Sequence, residues 1–109
     1  MSDSGDAVLM VTVACPPDRA ENLAAALVEA RVAACVNIVP GVRSVYRWKD
    51  AVQYDDESLL LAKTTQARFE ALKALVLSLH PYELPEIVAV CLTHAHPPYL
   101  AWVIANTQP

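Results

Sequence analysis

The chain has 109 residues, 55% of them hydrophobic, with a mean hydropathy of +0.31 and a formal net charge of −4. That is the size of one domain, and no apolar run approaches the roughly 18 residues of a membrane-spanning helix. The Lys and Arg residues are scattered, which excludes the concentrated basic surface that nucleic-acid phosphates require.

So much apolar sequence in so small a domain predicts surface buried against other subunits. The stretch Ala7–Cys15 has neither the basic leader nor the cleavage site of a secretion signal. Cys15, Cys35 and Cys91 are far apart, odd in number and without a C-x-x-C pair. Neither a disulfide framework nor a zinc finger is expected, and the pattern fits a cytoplasmic protein.

Met1–Asp6 is polar and is expected to be a disordered tail ahead of one domain over residues 7–109. Ala7–Ala14 reads as a strand with apolar residues on both faces, hence covered on both sides. Pro16-Pro17 ends it and Asp18 is placed to cap a helix. In that helix Leu23, Leu27, Ala30 and Ala34 follow the helical spacing.

Cys35–Trp48 reads as a long extended stretch, with Val36, Ile38, Val42, Tyr46 and Trp48 on one parity. Pro40-Gly41 marks a bend or bulge within it. A turn at Lys49-Asp50-Ala51 and a second long strand over Val52–Lys63 complete an extended hairpin. Such a hairpin exceeds one small domain, so its outer part is expected to meet another subunit.

Thr64 or Thr65 is placed to cap a second helix with Phe69, Leu72, Leu75, Val76 and Leu79 as its buried stripe. His80-Pro81 ends it. Glu86–Thr93 reads as another apolar strand. Pro97-Pro98 starts a short last helix with Tyr99, Trp102 and Val103 on its apolar face. The fold class is therefore α+β, a ferredoxin-like βαββαβ sandwich with a long β-hairpin and a short C-terminal helix.

The chain has only two glycines, Gly5 and Gly41, so it carries no Gly-rich phosphate loop. No Ser-His-Asp or Cys-His spacing suggests a nucleophile, and an enzyme is not expected.

Several stretches carry a resemblance. They are Ala33–Ile38, Ser44–Lys49, Glu57 through Lys63-Thr64, the run His80-Pro81-Tyr82-Glu83-Leu84-Pro85-Glu86, and Tyr99-Leu100-Ala101-Trp102. In this order and spacing, from about Val8 to the C-terminus, the chain resembles the CutA family of divalent-cation tolerance proteins. The resemblance implies a homotrimer whose long hairpins reach onto neighbours. It also implies a role in tolerance of copper and other divalent cations, and in animals a link to anchoring a membrane-tethered esterase. A copper site described in the family uses a Cys near the end of the first strand and two adjacent His before Pro-Tyr. Here the corresponding pair is Leu79-His80, with one imidazole.

Candidate metal ligands are therefore Cys15 and His80, with Glu86, another subunit or solvent supplying a third donor. A thiolate is soft and an imidazole borderline, so copper(I) is the expected metal. A buried Cys15 that acts as a small hydrophobe is the alternative. Cys91, His94 and His96 form a second candidate cluster. Trp48, Glu57, Lys63 and Tyr82, with Glu86, mix charge and aromatic surface. They are expected either to line a pocket between subunits or to form ion pairs and interface packing. Two functions stand beside each other: a trimeric metal-responsive protein that binds copper, and a trimeric regulatory or scaffold module. The second would bind a small effector or a partner protein at subunit clefts.

Overall fold

Val11 and Val13 are fully buried at the centre of the first strand, and the rest of the fold is layered on them. The computed structural model describes residues 7–109; the tail expected at Met1–Asp6 lies outside the described residues. The elements are β1 (Val8–Cys15), α1 (Ala20–Glu29), β2 (Cys35–Trp48), β3 (Ala51–Thr65), α2 (Phe69–Leu79), β4 (Ile87–Cys91) and α3 (Pro97–Ala105). The strands form one antiparallel sheet in the order β2-β3-β1-β4. This is the expected βαββαβ order with a terminal helix. No helix among the described residues is long and apolar enough to cross a membrane.

One face of the sheet carries the main core. Leu9, Val11, Val13 and Cys15 of β1 join Leu60 and Ala62 of β3 there. Helix α1 covers them with Leu23 and Leu27, and α2 with Leu72 and Val76. Each such buried Leu or Val contributes about 1.5–3 kcal/mol relative to exposure. On the opposite face the register sets Thr12 beside Val88 and Met10 beside Val90. Those two valines of edge strand β4 are 55% and 56% exposed. Val103 of α3 is fully buried outside the helix-side cluster, because α3 packs on β3 and β1.

Several local expectations need correction. Asp18 caps no helix: it lies in a 3₁₀ turn over Pro17–Arg19, which leads into α1 with no side-chain cap. Pro17 presets the backbone of that turn, and the Arg19 N–H closes it on the Pro16 carbonyl at 3.0 Å. Helix α1 ends at Glu29, before Ala34, because Arg31 takes a left-handed φ of 60°. Thr65 makes no side-chain cap either, and another 3₁₀ turn, Gln66–Arg68, precedes α2. The buried Thr64 hydroxyl instead donates to the Val32 carbonyl at 2.6 Å. Leu79 and Trp102 are 44% and 45% exposed, so neither belongs to its helix's buried stripe.

The hairpin turn has two residues: Lys49 and Asp50 take φ of 51° and 65°, and Ala51 already pairs with Trp48. Positive φ at both positions suits the twist of the flanking strands. The bulge falls where Pro40-Gly41 predicts it, between Val39 and Val42, with Gly41 at φ 74°. Its consequence overturns the single-parity face. Val36 and Ile38 pair with Ala62 and Leu60, on the helix-side face. Beyond the inserted residue Val42, Tyr46 and Trp48 pair with Glu57, Gln53 and Ala51, which lie on the other face.

Strand β1 pairs with β3 only over Ser58–Thr65. From Ala51 to Glu57, β3 has β2 as its sole partner among the described residues. A two-stranded arm therefore stands out from the domain and gives it a long axis of 46 Å against 25 and 22 Å.

Candidate functional site

Where the arm leaves the sheet, β1 and α2 both end. The residue before a proline avoids helical backbone, and His80 at the end of α2 is accordingly extended, with ψ 135°. This turns its ring inward, where it is 8% exposed. The Nε2 side meets the Ala14 carbonyl at 2.7 Å, and Nδ1 accepts the Tyr82 backbone N–H at 3.2 Å. A carbonyl only accepts, so Nε2 donates to it, and both ring nitrogens are occupied. The His80 and Tyr82 rings lie 4.6 Å apart.

Tyr82 continues the chain of contacts. Its hydroxyl donates to Glu57 Oε2 at 2.9 Å. Glu57 is 5% exposed, on the first residue of β3 beyond its pairing with β1. On its face, across the bulge, lie Ser44, Tyr46 and Trp48 of β2. The Tyr46 hydroxyl donates to Asp55. These groups and the loop Tyr82–Glu86 enclose a cleft of about 710 Å³, floored in part by Ala14. Arg47, Glu83 and Glu86 bring the remaining charges to it.

The field in the cleft is negative. Burial pushes the Tyr82 hydroxyl up, and the hydrogen bond to Glu57 and that carboxylate's charge push it further. The hydrogen bond to Asp55 raises Tyr46. Burial raises the Cys15 thiol, with the charges of Glu57 and Asp18 adding to it. Each of these groups is held in its protonated form, and the two tyrosines donate to Glu57 and Asp55.

The predicted site residues divide accordingly. Trp48, Glu57, Tyr82 and Glu86 line the one cleft. Lys63 does not: it is six residues along β3, roughly 20 Å away, and its ammonium donates to Asn37 and the Leu61 carbonyl. Cys15 is fully buried in the helix-side core. It follows directly on Ala14, whose carbonyl the His80 ring meets. Cys91 is exposed, and His94 Nδ1 lies 3.1 Å from the Thr93 hydroxyl. Among the described residues no group of three or more His, Cys, Asp or Glu side chains is arranged to hold a metal. Ser44, Tyr46 and Arg47 lie in the stretch Ser44–Lys49 that carries the resemblance but were not named as site residues, and Asp55, which accepts from Tyr46, was not named at all. The bulge at Pro40-Gly41 was the available signal, since it moves Tyr46 and Trp48 onto the face of Glu57.

A family model described as CutA1 divalent ion tolerance protein matches residues 8–106. The divalent-cation tolerance protein CutA of Thermus thermophilus is 50% identical over 101 residues, which are 92% of this chain and 96% of that protein. A solved structure of the Thermus thermophilus divalent cation tolerance protein superimposes with a TM-score of 0.90. It is 48% identical and covers 93% of this chain and 99% of the other. The PII-like protein CutA of a Nostoc species, solved in apo form, gives 0.87 at 35% identity over 92% and 97%. Against the mouse protein CutA the match is 44% identical and spans 55% of that protein's length.

Proposed function

The chain belongs to the CutA1 divalent ion tolerance family, and from that premise we propose that it serves the response to metal ions as a cytoplasmic homotrimer without catalysis. In this reading it works as a binding module that takes a small effector into the cleft beside Glu57. The observation that carries it is the cleft itself, of the size that small ligands fill, walled by three aromatic rings around one buried carboxylate. The arm supports the assembly. Val45, Val52 and Tyr54 stand 57%, 52% and 60% exposed on it, and a neighbour would cover them.

Copper(I) binding is the second reading. It is favoured by the Ala14 carbonyl, which ties His80 to the residue next to Cys15. Copper would replace the thiol proton and one of the two hydrogen bonds of the His80 ring, with another subunit or solvent as a third donor, since among the described residues Glu86 forms no three-ligand group with them. Binding should therefore be modest and weaken at low pH. The deciding experiment runs two titrations on one preparation. A panel of small molecules is screened by thermal shift, and copper(I) is titrated under reducing conditions into the parent, Cys15→Ser and His80→Ala. A shift abolished by altering Glu57 supports the effector reading. Copper uptake lost in both variants supports the second. A parent that responds to neither removes both.

A further inference from the structure

Glu57 is a buried carboxylate with an unfinished set of partners. It is 5% exposed, yet the Tyr82 hydroxyl on Oε2 is its only side-chain hydrogen bond, and no salt bridge reaches it among the described residues. No polar side-chain atom among those residues is both sealed from solvent and unbonded. The free Oε1 is therefore accessible, and the accessible space beside Glu57 is the cleft. A carboxylate so far withdrawn from water is costly unless a cation or further donors meet it.

The surroundings narrow the chemistry. The cleft brings three carboxylates, Glu57, Glu83 and Glu86, against the single guanidinium of Arg47, which disfavours an anion. A hard divalent ion takes six or more oxygens from converging ligands, and the described residues offer no such group. What surrounds Glu57 instead is aromatic: Tyr46, Trp48 and Tyr82. Ring faces attract a cation and also cover the apolar part of a ligand. The volume of about 710 Å³ exceeds what an inorganic ion would use.

We propose that this cleft binds a small organic cation with a primary ammonium group, with Glu57 Oε1 as its acceptor and the Tyr46, Trp48 and Tyr82 rings as its walls. The proposal rests on the reading of the cleft as an effector site and assigns the class of effector. An N–H donor completes the carboxylate in a way that a quaternary ammonium cannot. The Tyr82–Glu57 hydrogen bond holds the carboxylate oriented before the ligand arrives.

The test uses the whole chain and four probes of similar size: butylammonium, tetramethylammonium, 1-butanol and butyrate. Binding is followed by calorimetry and, in a Trp102→Phe background that leaves Trp48 as the sole tryptophan, by fluorescence, at low and moderate salt. Butylammonium should bind saturably with Kd on the order of 1 mM, as suits so few atoms. Tetramethylammonium should bind more weakly, and butanol and butyrate should not bind. Glu57→Gln should weaken butylammonium by about tenfold or more, the loss of a charge-assisted hydrogen bond. Its mass by light scattering should stay that of the parent. Glu29→Gln, exposed on α1 and outside the cleft, should change affinity by less than about threefold. Should Glu57→Gln fail to fold, the parent's preference for butylammonium over butanol decides the matter alone.

Equal binding by Glu57→Gln overturns the proposal, as does butanol or butyrate binding as well as butylammonium. A Lys or Arg of a second copy found seated on Glu57 overturns it as well. In the butanol or butyrate case the effector reading survives, since the cleft still takes a small molecule. If neither these probes nor the wider thermal-shift panel bind, both readings fall together.

Discussion

Replacing Tyr82 by Phe removes one oxygen atom, and with it the hydrogen bond of 2.9 Å to Glu57. The ring remains, so its packing on His80 at 4.6 Å is retained. A hydrogen bond to a charged group contributes about 1.5–3 kcal/mol where it is buried. Glu57 is 5% exposed but Tyr82 is 36% exposed, and water can partly replace the lost donor. The expected cost is therefore near the lower end, about 1–1.5 kcal/mol. Packing changes are separated out by a double-mutant cycle of Tyr82→Phe and Glu57→Gln. The four proteins are unfolded in urea at one fixed chain concentration, because the proposed assembly makes stability concentration-dependent. The coupling should be about 1 kcal/mol at neutral pH. It also has a pH signature. Burial and Glu57 raise the folded-state value of Tyr82 above its ordinary 10. A raised value means that the contribution is complete below the unfolded-state value and fades as pH climbs through the folded one. The parent's advantage over Tyr82→Phe should hold from neutral pH to about 10 and decline beyond it. Coupling below about 0.3 kcal/mol would make the two residues independent and refute the reasoning.

Light scattering should give three times the chain mass of 11.8 kDa, and Trp48→Ala at the arm's tip should lower either that mass or the melting temperature. Gly41→Ala should cost about 1–2 kcal/mol in urea unfolding: a Cβ there meets nothing within 4 Å, so only the φ of 74° resists it. Leu60→Ala, at a fully buried position under both helices, should cost about 2–5 kcal/mol by the same measurement. A thiol reagent at neutral pH should modify exposed Cys91 quickly. Cys15, fully buried and with its thiol pushed up, should react only on unfolding, as mass spectrometry of the labelled peptides would reveal.

The architecture was legible in the sequence because it rests on periodicity. An apolar run ended by Pro16-Pro17 marked β1, and helical spacing placed Leu72 and Val76 in the core. Proline positions ended α2 and began α3, and Pro40-Gly41 marked the bulge. Helix entry was misread at Asp18 and Thr65. Both are good capping residues, but Pro17 and the Gln66–Arg68 turn start their helices through the backbone. Leu79 and Trp102 follow helical spacing yet face outward, because spacing defines a stripe and not how wide its cover is.

The sequence by itself determined the order of elements and the long hairpin, since these depend on residues close together in the chain. It also supplied Trp48, Glu57, Tyr82 and Glu86 as a group worth attention. Only the tertiary structure decided that they meet, and that Lys63 does not join them. One inserted residue at the bulge reverses which side of β2 faces Glu57, and the end of β1 leaves Glu57 without a neighbouring strand on its β1 side. The seating of His80 on the Ala14 carbonyl was likewise beyond sequence reasoning. It joins residues 66 positions apart, and only the packing of α2 against the sheet brings that donor to that acceptor.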